Sequence, residues 1–123
     1  MAAFGALEID ASAAAKASRC AQTLSERLGT REQPLSLALH TGDAVCGDVG
    51  GAVNRTFSIV GDVVNTARRM LDIATAANGG IVVSDKSIVP GRENGTMSSM
   101  AVDLGSIKLR GRDAPVHLWR IPP

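Results

Sequence analysis

With 123 residues and a mass of 12.7 kDa, the chain has room for one domain, long enough to bury a single core without disulfides or a structural metal. Its 13 Lys and Arg against 12 Asp and Glu give no support for a nucleic-acid or acidic-membrane binder, and 45% hydrophobic with 20% charged residues is globular rather than disordered. The longest uncharged stretch, Ile73 to Ser84, is far too short to span a bilayer, and Met1-Ala-Ala-Phe4 lacks the basic start of a signal peptide, so a soluble cytoplasmic domain is the expectation.

In chain order, Ala11 to Leu28 has the strongest helical pattern, with Ala13, Ala17, Ala21, Leu24 and Leu28 recurring every three to four residues. Asp10 is its expected N-cap and Gly29 its expected left-handed C-cap. Leu35-Ser-Leu-Ala-Leu-His40 alternates as a strand, and Thr41-Gly-Asp43 predicts a turn into Ala44 to Val49, which makes a hairpin. Thr56 to Val60 is a further strand. Gly61-Asp62 opens a second helix to about Ala77, with a stripe of Val63, Val64, Ala67, Met70, Leu71 and Ala74, closed by Asn78-Gly79-Gly80. Ile81 to Ser84 has the character of a buried strand. Pro90 to Ser99 is rich in Gly, Ser and Asn and is expected as a loop. Ala101 to Leu104, Ser106 to Leu109 and Val116 to Ile121 are three short strands around a turn at Arg110-Gly-Arg-Asp113. The order of elements predicts a mixed α+β layer.

Phe4, Phe57 and Trp119 are the only aromatic residues, whereas Ala occurs 18 times. Such a core is thin in volume, and must gain from close backbone packing or from burial against another chain. Cys20 and Cys46 form no C-x-x-C and are expected as small, buried, reduced hydrophobes. His40 and His117 have no motif around them.

Few residues carry chemistry by spacing alone. Asn65 and Arg69, four apart, share one helix face and suit a phosphate ester: planar donors for oxygens and a permanent charge for the transition state. The same spacing also describes an ordinary solvated face, on which Arg68 and Asp72 would pair. Gly42, Gly47, Gly50 and Gly51 lack the G-x-x-x-x-G-K-[ST] pattern of a phosphate-binding loop. Asp43, Asp48, Asp62, Asp72 and Asp103 fall in no metal-binding pattern.

Three segments together resemble a known family. They are Leu37-Ala-Leu-His-Thr-Gly42, Gly47-Asp-Val-Gly50 and Phe57-Ser-Ile-Val-Gly-Asp-Val-Val-Asn-Thr-Ala-Arg-Arg-Met70. They resemble the catalytic domain of class III nucleotidyl cyclases, whose pattern runs G-I-H-[ST]-G, G-x-x-G, then [TS]-x-x-G-D-x-V-N-x-A-x-R-[LM]. Gly80 to Ser84 is similar to that family's next strand, and Leu109-Arg-Gly-Arg-Asp-Ala-Pro-Val-His-Leu-Trp119 to its closing [KR]-G-x-x-x-P-V segment.

The resemblance implies a ferredoxin-like α+β cyclase domain and an intracellular-signalling lyase activity. In that activity ATP is converted to cyclic AMP and pyrophosphate by 3′-hydroxyl attack on the α-phosphate. It further implies a head-to-tail dimer, with two Mg²⁺ or Mn²⁺ ions held by two aspartates of one subunit. The other subunit supplies the purine contacts and the helix Asn and Arg. Carried over, Asn65 would orient the ribose, Arg69 would stabilise charge on the α-phosphate, Ser58 would contact the purine and Arg110 the phosphates. A hydroxyl at Ser58 is similar to adenylyl rather than guanylyl cyclases.

The family's metal-binding aspartates have no counterpart here: Met1 to Ala6 is similar to the strand that follows them. Residues 1–123 are therefore expected to be an N-terminally truncated, partial domain, inactive alone. Two alternatives remain open at this point. One is a complementing half of a heterodimeric cyclase; the other is a non-catalytic nucleotide-binding or dimerisation module.

Overall fold

A computed structural model describes residues 1–30, 32–92 and 100–123. The elements run α1 (Ala13–Leu28), β1 (Ser36–Leu39), β2 (Val45–Gly50), β3 (Arg55–Val60), α2 (Asp62–Ala76), β4 (Gly80–Ser84), α3 (Asp85–Arg92), β5 (Val102–Ile107) and β6 (Val116–Ile121). Four strands form a mixed sheet in the order β1-β4-β6-β5, with β1 parallel to β4 and the other pairs antiparallel. β2 and β3 form a separate two-stranded antiparallel ribbon.

The core is assembled on both faces of β4, all five residues of which are buried. Side chains alternate across a strand, so Ile81 and Val83 pack with Ala21, Ile88 and Ile121 on one face. Val82 packs with Met70, Ala74, Leu109 and Leu118 on the other. The first face is covered by α1 and α3, the second by α2. Leu37 and Leu39 of β1 join the first cluster and Ala38 the second. No aromatic lies in either buried cluster: Phe4 and Phe57 are exposed, and Trp119 packs half-buried at the margin of the first. The lean composition thus corresponds to an aliphatic core in which Ala21 and Ala74 let helix backbones approach the sheet.

Several local expectations are corrected. Residues 35–40 and 44–49 do not form a hairpin: β1 pairs with β4, and β2 pairs with β3 from Val45↔Val60 to Gly50↔Arg55. Both faces of β1 contact the core, so it belongs inside a parallel pair and not in a one-faced hairpin. Asp10 does not cap α1 directly. Its Oδ1 accepts from the backbone N–H (2.8 Å) and hydroxyl (2.6 Å) of Ser12, and its Oδ2 from Lys16 Nζ (2.6 Å). The Lys16 and Ser12 hydrogen bonds draw the Asp10 carboxyl down to about 2. Gly29 is extended (φ −74°, ψ 132°) and not left-handed. Glycine is used there for space, since a Cβ would lie 2.5 Å from the Ser25 carbonyl oxygen.

The expected stop of α2 at Asn78-Gly79-Gly80 is observed, and all three residues have positive φ. The buried stripe of α2 is Thr66, Met70 and Ala74, whereas Val63, Val64, Ala67 and Leu71 are only partly buried. The segment 85–92 is helical, against the loop expected from Pro90, and residues 93–99 of that expected loop lie outside the described residues. The two strands expected at 101–104 and 106–109 are one strand with an irregularity between Asp103 and Gly105. Residues 1–6 carry no strand. Cys20 and Cys46 are free but half-buried. Among the described residues no helix is long and apolar enough to cross a membrane.

Candidate active site

Asn65 and Arg69 stand on α2, which is fixed by its buried face of Thr66, Met70 and Ala74 against β1 and β4. Asn65 is exposed and Arg69 is partly buried, so the helix presents both away from the core. The turn after β5 approaches the same helix. Leu109 is buried beside Met70 and Leu118, Arg112 N donates to the Leu109 carbonyl at 3.1 Å, and Gly111 takes φ +75°. A Cβ on Gly111 would stand 3.0 Å from the Arg69 guanidinium, so that guanidinium rests against the turn's backbone. Arg110, next in the turn, is exposed. Two permanent cations therefore flank one turn, an arrangement suited to polyanionic oxygens.

Arg112, which the sequence pattern did not single out, ties this turn to α2. Its Nη1 donates to Thr66 Oγ1 at 2.8 Å and also to the Asp62 carboxylate. Asp62 and Thr66 are four apart and hence on one helix face. Asp62 also sits in the first turn of α2, where negative charge suits the helix dipole. The only sequence signal for this contact was the spacing of two acceptors opposite a basic turn.

Ser58 lies on the ribbon, directly across from Gly47 on β2. Cross-strand partners point to the same face, which Ser58 therefore shares with Val45, Val49 and Val60. These valines are 77%, 62% and 62% exposed. The Ser58 hydroxyl has a 3.4 Å contact to the Thr56 carbonyl, and a Cβ on Gly47 would meet nothing within 4 Å. The structure thus brings Arg69 to the Arg110 turn. No hydrogen bond or ion pair joins Ser58 or Asn65 to them among the described residues.

A second polar cluster was not anticipated. His40 Nδ1 lies 2.8 Å from Ser84 Oγ, which is 3.4 Å from Ser87 Oγ, which in turn is 2.7 Å from Thr41 Oγ1. Ser84 and Ser87 are buried, and the network satisfies hydroxyls that would otherwise be stranded in the core. Burial, reinforced by the positive charges of Arg112 and Lys86, pushes the His40 pKa below 6.5. His117 is not isolated either: its Nε2 lies 2.7 Å from Asp103 Oδ1, and that oxygen accepts from Gly105 N. The pair Arg68–Asp72 does not form among the described residues, and both side chains are exposed.

Among the described residues the carboxylates do not fit a two-ion site. Asp62 is engaged by Arg112 and Asp103 by His117, and among the described residues no three His, Cys, Asp or Glu side chains form a group able to hold a metal.

The family described as "Adenylate and Guanylate cyclase catalytic domain" matches residues 3–121. The chain belongs to this family. Among curated relatives it is 30% identical over 121 residues to "Adenylate cyclase 1" of Rhizobium meliloti (strain 1021), a match covering 85% of this chain and 17% of that protein. It is 28% identical over 107 residues to an uncharacterised protein of Mycobacterium tuberculosis, covering 84% of this chain and 19% of that one. The chain thus spans about a fifth of the length of these relatives.

The fold is that of the guanylyl cyclase Cya2 (TM-score 0.72, 23% identity), covering 96% of this chain and 62% of that one. It is also that of the catalytic core of a rhodopsin-guanylyl cyclase with converted specificity in complex with ATPalphaS (TM-score 0.65, 21% identity), covering 98% and 65%. The α+β cyclase fold expected from the motifs is therefore the one observed.

Proposed function

We propose that this chain supplies the purine and transition-state half of an adenylate cyclase site, which forms cyclic AMP and pyrophosphate from ATP. The observation that carries the reading is the Arg69 guanidinium held against the turn that bears Arg110, with Asn65 exposed one helical turn earlier. In the reaction the ATP 3′-oxygen loses its proton and bonds to the α-phosphorus, while the bond from that phosphorus to the bridging oxygen breaks and pyrophosphate leaves. Arg69 stabilises the charge that grows on the α-phosphate oxygens, the kind of fixed electrostatic stabilisation that dominates phosphoryl transfer. Asn65 orients the ribose, Arg110 neutralises the leaving phosphates and Ser58 contacts the purine.

Mg²⁺ or Mn²⁺, when bound, would activate the nucleophile and neutralise the triphosphate. The carboxylates for those ions come from a second cyclase subunit that retains the aspartates, as in a heterodimer, since a homodimer of residues 1–123 would hold two half-built sites. The exposed valines beside Ser58 support a partner over that face. The relative named as an adenylate cyclase supports ATP as substrate. On this reading residues 1–123 act as a partial catalytic domain in soluble, cytoplasmic signalling, inactive alone.

The test is complementation. The chain is mixed with a cyclase domain that keeps both aspartates but has its own helix Asn and Arg replaced, and ATP and Mn²⁺ are added. Cyclic AMP from the mixture, and none from either protein alone, is the expected result. A silent mixture contradicts the catalytic reading; ATP binding without turnover would favour a non-catalytic nucleotide-binding or dimerisation module.

A further inference from the structure

We infer that Arg112 is a positioning residue: it clamps the Arg110–Gly111 turn onto α2, so that Arg110 and Arg69 are presented as one preformed pair of cations. The inference rests on the reading of Arg69 and Arg110 given above and extends it to a residue that touches neither nucleotide nor reacting atom.

The turn is held at two points. Before it, Leu109 is buried against Met70 and Leu118. After it, one guanidinium nitrogen of Arg112 reaches both Thr66 Oγ1, at 2.8 Å, and the Asp62 carboxylate. Arg110 and Gly111 span the gap, and Gly111 lies against the Arg69 guanidinium. Thr66 is fully buried on the core face of α2. Its hydroxyl therefore depends on a protein partner, and the charge-assisted bond from Arg112 supplies it. Asp62 pairs with Arg112, so that charge is engaged within the protein, whereas Arg110 stays exposed.

Removing the Arg112 side chain leaves the turn with the buried Leu109 and the backbone bond from Arg112 N, but without its polar anchor to α2. Arg110 would then have to be ordered at the moment of binding, and the Arg69 guanidinium would lose its backstop. Geometry at a phosphoryl group is unforgiving: a misplacement near 1 Å is worth on the order of 10²-fold in rate.

The experiment compares wild type, Arg112→Ala, Arg112→Lys and Thr66→Val by two readouts. The first is amide hydrogen exchange of the full chain. Arg112→Ala and Thr66→Val are expected to accelerate exchange at residues 110–112 on the order of tenfold, while Val82 and Val83 in the central strand keep their protection. The second is steady-state kinetics in the complemented complex. Arg112→Ala is expected to lower kcat/KM for ATP on the order of 10²-fold, and Arg112→Lys, which restores a donor but not the fork, to recover part of it.

Unchanged exchange at 110–112 in Arg112→Ala overturns the inference. So does an equal acceleration in the central strand, because the role would then be general stability. Local loosening with unaltered kcat/KM overturns it too. If the wild-type mixture makes no cyclic AMP, the proposed activity fails, and the exchange readout alone decides the clamp.

Discussion

The central strand β4 and the β2–β3 ribbon contain similar residues in opposite circumstances. In β4 the run Gly80–Ser84 is buried on both faces, between α1 and α3 on one side and α2 on the other. In the ribbon, Val45, Val49 and Val60 are just as apolar yet remain exposed. Burial depends on position in the layer, and hydrophobicity alone does not assign it. The division separates two tasks. The sheet holds α2, and with it Asn65, Arg69 and the Arg110 turn, in a fixed frame. The ribbon carries Ser58 on a face shared with exposed valines, the face that the proposed function assigns to a partner.

The largest test of that contrast is truncation on each side. Leu118→Ala removes a fully buried side chain between β6 and α2 and is expected to cost about 2–5 kcal/mol in denaturant unfolding. Val49→Ala in the ribbon is expected to change stability by less than about 0.5 kcal/mol. Equal losses would erase the distinction between frame and recognition face.

A smaller effect is expected at the turn that joins frame to site. Gly111 has φ +75°, so Gly111→Ala forces a side chain into the left-handed region at a cost of about 1–2 kcal/mol. It also crowds the Arg69 guanidinium. Thermal unfolding should show a lowered Tm, and a Tm equal to wild type would mean that the turn relaxes freely.

The smallest is a pH effect on the frame. Burial, with Arg112 and Lys86, holds the His40 pKa below 6.5. The unfolded chain thus binds this proton more readily, and stability rises with pH through that region. The contribution is complete above 6.5 and is lost as the pH falls below it towards the folded-state value. Urea midpoints at pH 7.5 and 5.5 should diverge more in wild type than in His40→Asn. Equal divergence would remove His40 from the account.

Much of the frame was legible in the sequence because it rests on local periodicity. The spacing of alanines and leucines predicted α1, the Asn78-Gly79-Gly80 stop closed α2, and the Gly-Asp-x-x-Asn run located Asn65 and Arg69 on one face. Pairing was less legible. The leucines of β1 alternate as a hairpin strand would, but its partner β4 lies more than 40 residues away, and nothing local announces a parallel pair. Pro90 concealed α3, which is short and begins from a buried strand end. Arg112 was hidden because its partners, Asp62 and Thr66, become neighbours only when β5 and β6 bring the turn to α2. The hydroxyl network of His40 was hidden because its partners come from the end of β4 and the start of α3.

The central claim is that this chain's own helix supplies transition-state charge stabilisation. Arg69→Ala in the complemented complex, measured for kcat with ATP and Mn²⁺ and accompanied by a melting curve, tests it most directly. A fall in kcat of about 10²–10³-fold with unaltered melting is the predicted result. Undiminished turnover would contradict the account.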